Sequence, residues 1–341
     1  MALDLFQSDL QTSTTRGLSV RPTQEMVVIK HDSRVGAVSL IIPDNDPNDR
    51  KSRGSVIDVN EVEFVPLTMV SMAKGENIQS NASFADAFDV YKYNDRGQST
   101  SLGIFDRNGA YEAVGTSSSY RIVGVLRSVN GAGISTLDNA LSEKFGSNPV
   151  PAYLDLTYAK LKQLDSIDPN HGAGSIVKLT TGKNRDLVQV TTRATYFLPL
   201  FEVTEMDKKT SDKFEAYITD FLVEVQTWID AIRENDKKLV ELKNHGLARP
   251  NVVNDLRKIG IDSYDDLATR VKELGGDNMS LGFKALAEQL VGDGVEADTS
   301  ADTDELVETK PKSTQADEKA DIDPFNQKTP EDKSANDDLP F

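Results

Sequence analysis

The chain has 341 residues, 38% hydrophobic and 27% charged, with a formal net charge of −17, the balance of a soluble globular protein of two or three domains. It has no cysteine, which excludes disulfides, a thiolate nucleophile and cysteine zinc sites. No apolar run approaches the ~20 residues of a membrane-spanning helix, no signal pattern opens the chain and a cytoplasmic location is expected; the excess of acid argues at first against nucleic acid.

Residues 1–20 are polar and rich in Ser and Thr, as in a flexible arm. From 21 to 205 short apolar runs of strand length alternate with turn formers. Met26–Ile29 and Val35–Ile42 are the first two. The loop from Pro43 to Gly54 follows, with Arg50, Lys51 and Arg53 clustered at its end. Such a cluster reaches phosphates in some proteins and is only solvated in others. Val62–Met72 is interrupted by Pro66, which predicts an edge strand or a bulge.

Phe88–Tyr93 and Ser101–Phe105 flank Asn94–Gly97 as a predicted hairpin. Alternation puts Tyr91 and Tyr93 on one strand face. With Lys92 between them, Arg96 and Arg107 near and Phe105 on the paired strand, the group suits base stacking and phosphate contact. The competing reading packs both tyrosines under a covering loop. Tyr120–Arg127 carries Arg121 and Arg127 on one face. A short helix is predicted near Leu137–Phe145, then strands at Val150–Tyr158 and Ile176–Thr180, with Lys178 in the latter. Lys183 and Arg185 lie in the next loop. Leu187–Leu200, with Arg193, alternates like one half-buried strand. The expected fold of 21–205 is mainly β: an OB-type barrel with long loops, or a sandwich, which periodicity does not separate.

From 206 to 291 the period changes to that of helices. Phe214, Ile218, Phe221, Val225, Trp228 and Ile232 recur at three- and four-residue steps. One amphipathic helix from Ser211 to Lys243 is predicted, stopped by His245-Gly246. It either packs on the barrel or forms a homo-oligomer seam. Around Gly260-Ile261 two short helices resemble a helix-hairpin-helix unit, whose amides can face a phosphate; Ser263 and Asp266 outline a capping box.

From Gly292 the apolar content collapses, and the composition is that of a disordered tail. Residues 293–341 hold 15 acidic and 5 basic residues, a net of −10. Asp321-Ile-Asp-Pro-Phe325 anticipates the end of the chain, Asp337-Asp338-Leu339-Pro340-Phe341. Acids before an apolar-Pro-aromatic end read as a ligand for a pocket with a basic rim on another protein, with Pro340 limiting the entropy lost on docking.

These last five residues resemble the acidic tip of the single-stranded-DNA-binding proteins of bacteria and their phages. Only the tail carries the resemblance. It implies an OB-fold core, a disordered acidic linker, and a tip that recruits enzymes of DNA replication, recombination and repair. Under it, Tyr91, Tyr93 and Phe105 are the candidate stackers. Arg50, Lys51, Arg53, Lys92, Arg96, Arg107, Arg121, Arg127, Lys178, Lys183, Arg185 and Arg193 are the candidate phosphate contacts, and Asp337 to Phe341 the partner-docking residues.

Chemistry motifs are lacking. Val177 stands where a phosphate loop ending in Gly182-Lys183 needs its first glycine. His31, His171 and His245 have no metal-ligand spacing. Neither an enzyme nor a cofactor is expected. The alternatives are an adaptor or assembly protein without DNA affinity, and a metal-dependent nuclease with scattered carboxylates.

Overall fold

The computed structural model describes residues 21–22, 25–43, 54–94, 98–137, 140–146, 148–182, 188–190 and 195–292. Among them, β1 (Val27–Asp32), β2 (Ala37–Ile42), β3 (Ser55–Val59), β4 (Glu61–Gly75), β5 (Ile78–Ser80), β6 (Phe88–Tyr93) and β7 (Ser99–Phe105) come first. Then follow α1 (Arg107–Val114), β8 (Ser117–Val129), β9 (Ala132–Gly133), α2 (Ala140–Phe145), β10 (Val150–Thr157), α3 (Tyr158–Asp165) and β11 (Ser175–Thr180). After β12 (Val188–Val190), β13 (Thr195–Phe197) and β14 (Leu200–Glu205) the chain is helical. It forms α4 (Lys208–Tyr217), α5 (Thr219–Asn244), α6 (Val252–Lys258), α7 (Tyr264–Gly275) and α8 (Met279–Gly292).

Twelve strands form one mixed sheet with the path β3-β2-β1-β10-β8-β4-β5-β6-β7; β11 joins β4 and β14, and β9 joins β8. The β1–β10 pair is parallel and the other described pairs antiparallel. A single residue, Asn60, separates β3 from β4, so the strand paired with β2 runs on into the strand paired with β8 and β11. At the end of β11 the Thr181 amide donates to the Asn60 carbonyl at 2.7 Å. The Thr181 hydroxyl accepts from the Val38 amide at 3.1 Å and donates to the Val59 carbonyl at 2.7 Å. The sheet thus bends toward itself, but no ladder closes it. The described chain is a mixed α and β structure with an open sheet. Among the described residues, 21–205 are dominated by this sheet and 206–292 are helical, as expected; closure into an OB-type barrel is not shown.

Two helices within 21–205 went unpredicted. Helix α1 is capped by Asp106, which accepts from the Gly109 amide at 2.7 Å, and ends at Gly115 with φ +67°. Helix α3 continues directly from β10 and buries Leu161 and Leu164. Leu187–Leu200 is not one strand, since β12 and β13 pair antiparallel with Val188 opposite Phe197.

Each sheet face is covered by a different set of residues. On one, Val27, Ile29, Leu40, Phe64, Ile122, Leu154 and Leu179 pack with Leu141, Leu161 and Leu164 of α2 and α3. On the other, Met26, Val70, Val123 and Val125 lie under Phe221, Val225, Trp228 and Ile232 of α5. Each such side chain stabilises the fold by roughly 1.5–3 kcal/mol when fully buried. The apolar stripe of α5 is therefore occupied by its own sheet. The single helix expected from Ser211 to Lys243 is two, broken at buried Ile218, and its stop at His245-Gly246 is as expected. Leu239, Leu242, Leu256, Leu267, Val271 and Phe283 form a further core with Ala87 and Ile104, so the last helices also pack against the β6–β7 hairpin.

Pro66 sits where β4 tolerates it. The β11 ladder ends at Phe64, a bulge lies between Pro66 and Thr68, and the next neighbour on that edge is Ser83, opposite Ser71. Across from Pro66 is Gly124, where a Cβ would stand 2.1 Å from the Val65 carbonyl oxygen and 2.7 Å from the Phe64 ring. Gly124→Ala is expected to cost about 3 kcal/mol, because neither the backbone nor the buried ring has room to retreat. Urea unfolding checks this; an unchanged midpoint contradicts it.

Candidate nucleic-acid surface

Away from α5, part of the sheet face it packs on carries no covering element among the described residues, with Tyr153 at its border packed against the α5 cluster. Its residues are the outward half of four alternating strands. In β1, Val27 and Ile29 point into the core, leaving Val28 and Lys30 outside; in β2, Val38, Leu40 and Ile42 leave Ala37, Ser39 and Ile41. In β10, Leu154 and Leu156 leave Tyr153, Asp155 and Thr157. The register aligns them into rows. Val56, Ile41, Val28 and Tyr153 form one row, and Asp58, Ser39 and Lys30 the next. Val56 is 60% exposed, and Lys30 and Asp58 are exposed.

Tyr153 is held by a buried arginine. The Arg121 guanidinium lies 3.9 Å from the centre of its ring and makes two 2.7 Å hydrogen bonds to Asp155. Burial disfavours the charge of Arg121, but the hydrogen bonds and charge of Asp155 outweigh it and hold its pKa above the ordinary value. Lys74 approaches the same carboxylate at 3.6 Å. Where β10 passes into α3, Tyr158 is 55% exposed, and the Lys162 ammonium lies 4.8 Å from its ring centre. Two aromatic–cation pairs thus stand in succession along one strand and the helix that continues it.

The residues singled out from sequence are scattered. Tyr91 is only 2% exposed and donates its hydroxyl to Asp89, so it cannot stack on a base; a bulge between Val90 and Tyr91 and the helices behind them enclose it. Phe105 packs with Phe88 and Val90. Tyr93 is half-buried and Lys92 exposed at the end of the same hairpin. Arg107 pairs with Asp86 at 2.9 Å and lies over the Tyr120 ring. Arg121 is the clamp on Tyr153, not a surface cation. Arg127 faces Glu63 at 3.6 Å and Lys178 faces Glu61 at 2.9 Å, in a charge ladder with as much acid as base. Arg50, Lys51, Arg53, Arg96, Lys183, Arg185, Arg193 and the docking residues Asp337, Asp338, Leu339, Pro340 and Phe341 lie outside the described residues.

The helix-hairpin-helix reading needs correction as well. The turn is present, with Gly260 at φ +80° and Ser263 and Asp266 in a full capping box. However, the Tyr264 amide donates to Glu234 at 2.9 Å and the Ser263 amide to Asp266 at 3.0 Å. Side chains of the protein already occupy the amides a phosphate would use.

A buried polar cluster lies between β6 and the helices. Burial pushes Asp89 up to about 6, against the Tyr91 hydrogen bond and the charges of Arg257 and Lys238; burial also brings Lys238 down to about 8. The folded chain therefore holds a proton on Asp89 that the unfolded chain loses at lower pH. Its stabilising effect is complete below about pH 4 and disappears as pH rises through about 6. Burial lowers His31 to about 4, which works in the opposite sense over the same range. Between pH 4 and 7 the wild type should lose about 3 kcal/mol relative to Asp89→Asn. Urea unfolding of both proteins measures it, and a pH-independent difference contradicts it.

No group of His, Asp and Glu among the described residues is arranged to hold a metal ion, and no described helix is long and apolar enough to cross a membrane. A scan against models of protein families, a search of curated proteins and a search of solved structures each find no match to this chain.

Proposed function

We propose that the chain binds single-stranded DNA in replication, recombination or repair and recruits partner proteins through its acidic end. The observation that carries this reading is the sequence Asp337-Asp338-Leu339-Pro340-Phe341, the end of a stretch (293–341) with a net charge of −10. The uncovered sheet face supports it. Tyr158 offers a ring to a base, Val28, Ile41 and Val56 offer apolar contact, and Lys30, Lys74 and Lys162 offer charge to phosphates. The chain between Pro43 and Gly54, which carries Arg50, Lys51 and Arg53, leaves from the Ile42–Ser55 end of the same strip. The OB-type platform implied by the tail would here be the bent sheet, continuous from β3 into β4.

The net charge of −17 favours a second reading, an adaptor that docks through its tail and has no DNA affinity. Binding of labelled oligo(dT) separates the two. The first reading expects a shift by the full-length protein that Tyr158→Ala weakens about tenfold, as loss of a base–aromatic stack does. The second expects no shift. Cleavage of the oligonucleotide on adding magnesium would instead indicate a nuclease.

A further inference from the structure

The segment Asn81–Ala87, between β5 and β6, holds an aromatic ring at the surface on a backbone fixed from below. Phe84 is 40% exposed. Its amide and that of Ala85 both donate to one oxygen of buried Asp236, at 2.8 and 3.2 Å. Ser83 is fully buried, exchanges backbone hydrogen bonds with Ser71, and accepts from the Ala85 and Ala87 amides at 3.1 and 3.0 Å. Asp86, at φ +53°, accepts from the Ser71 hydroxyl at 2.7 Å and from Arg107 at 2.9 Å. Buried Asn81 accepts from the Asp89 amide at 2.7 Å and donates to the Ala87 carbonyl at 3.3 Å. These bonds hold the backbone that carries Phe84 in place.

A cation stands beside the ring. The Arg233 guanidinium lies 5.7 Å from its centre, with its side chain 62% exposed and only a 3.7 Å contact to Asp230. Lys237, also exposed, is one helical turn further along α5. A fixed, outward aromatic loses little freedom when another flat ring settles on it. Arg233 at the ring, with exposed Lys237 on the next turn of α5, suits a ligand whose flat rings are strung on phosphates.

From this geometry we infer that Phe84, backed by Arg233, is a stacking post for a nucleobase of a bound single strand. The inference rests on the single-strand reading above and adds a contact outside the uncovered sheet face. Arg233 meets the adjoining phosphate, and the stack is indifferent to base identity because every base has a flat face.

The test uses the full-length protein with two substitutions, Phe84→Trp and Phe84→Ala. The probes are oligo(dT) and an abasic deoxyribose-phosphate strand of equal length. Trp228, the chain's single tryptophan, is buried, so added emission in Phe84→Trp reports on position 84. Oligo(dT) should quench that emission and the abasic strand should not. Phe84→Ala should weaken oligo(dT) binding about tenfold, with abasic binding and thermal midpoint unchanged. If the wild type binds oligo(dT) but Phe84→Ala binds it equally and Phe84→Trp does not respond, this inference fails while the single-strand reading stands. Equal quenching by the abasic strand also overturns it. If the wild type binds no oligo(dT), the reading of the whole chain fails and this inference with it.

Discussion

Replacing Arg121 by alanine is expected to destabilise the fold by about 3 kcal/mol, the lower end of the range for breaking a buried ion pair. Arg121 is buried in the middle of the sheet while Asp155 keeps 24% of its side chain exposed, so the orphaned carboxylate is not wholly cut off from water. Two hydrogen bonds and the contact with the Tyr153 ring go together. Arg121→Lys should recover little, since a lone ammonium cannot fork onto both oxygens of Asp155 and cover the ring as well. The double substitution Arg121→Met, Asp155→Leu should recover most of the loss, because it leaves no unpaired buried charge. Urea unfolding of the three variants tests this. Unchanged stability of Arg121→Ala would mean that the pair is a surface feature, and would reopen Arg121 as a phosphate contact.

The second large effect concerns the tail. Removing Gly292–Phe341 takes away a net charge of −10 that, on the proposed single-strand reading, would compete with DNA at the high effective concentration a tether gives. Affinity for single strands should rise about tenfold at low salt. The gain should fade toward 1 M, where the Debye length falls to ~3 Å from ~10 Å at 0.1 M. Removing only Leu339–Phe341 should leave DNA affinity nearly unchanged and abolish partner capture, because most of the charge stays while the Phe341 anchor is lost. A full deletion that binds no better at low salt contradicts the competition. A three-residue deletion that still captures the same partners contradicts the anchor.

Local patterns made much of this fold legible. The apolar runs Met26–Ile29 and Val35–Ile42 marked two strands, and the helical spacing of Phe221, Val225, Trp228 and Ile232 marked a helix and its buried face. The capping box at Ser263 was equally plain. What failed depended on distant partners. Tyr91 and Tyr93 seemed a stacking pair because nothing in β6 reveals that α5 and α6, more than a hundred residues later, enclose Asp89 and Tyr91. Tyr153 was legible in principle, since it alternates with Leu154 and Leu156, but its importance needs the register that sets Asp155 opposite Arg121. Phe84 gave no local signal. Its loop is fixed by Asp236, 152 residues further on. Helix α1 was hidden by Gly109, a poor helix former, although Asp106 and Gly115 mark both its ends.

Anisotropy of labelled oligo(dT), titrated with the full-length protein and with a form ending at Val291 over rising salt, decides whether the chain binds single strands. Both should bind, more weakly as salt rises, with a log–log slope of about −0.7 for each phosphate neutralised. The shortened form should bind more tightly at low salt, and Tyr158→Ala should weaken both. Absence of binding by either form at the lowest salt would contradict single-strand binding outright.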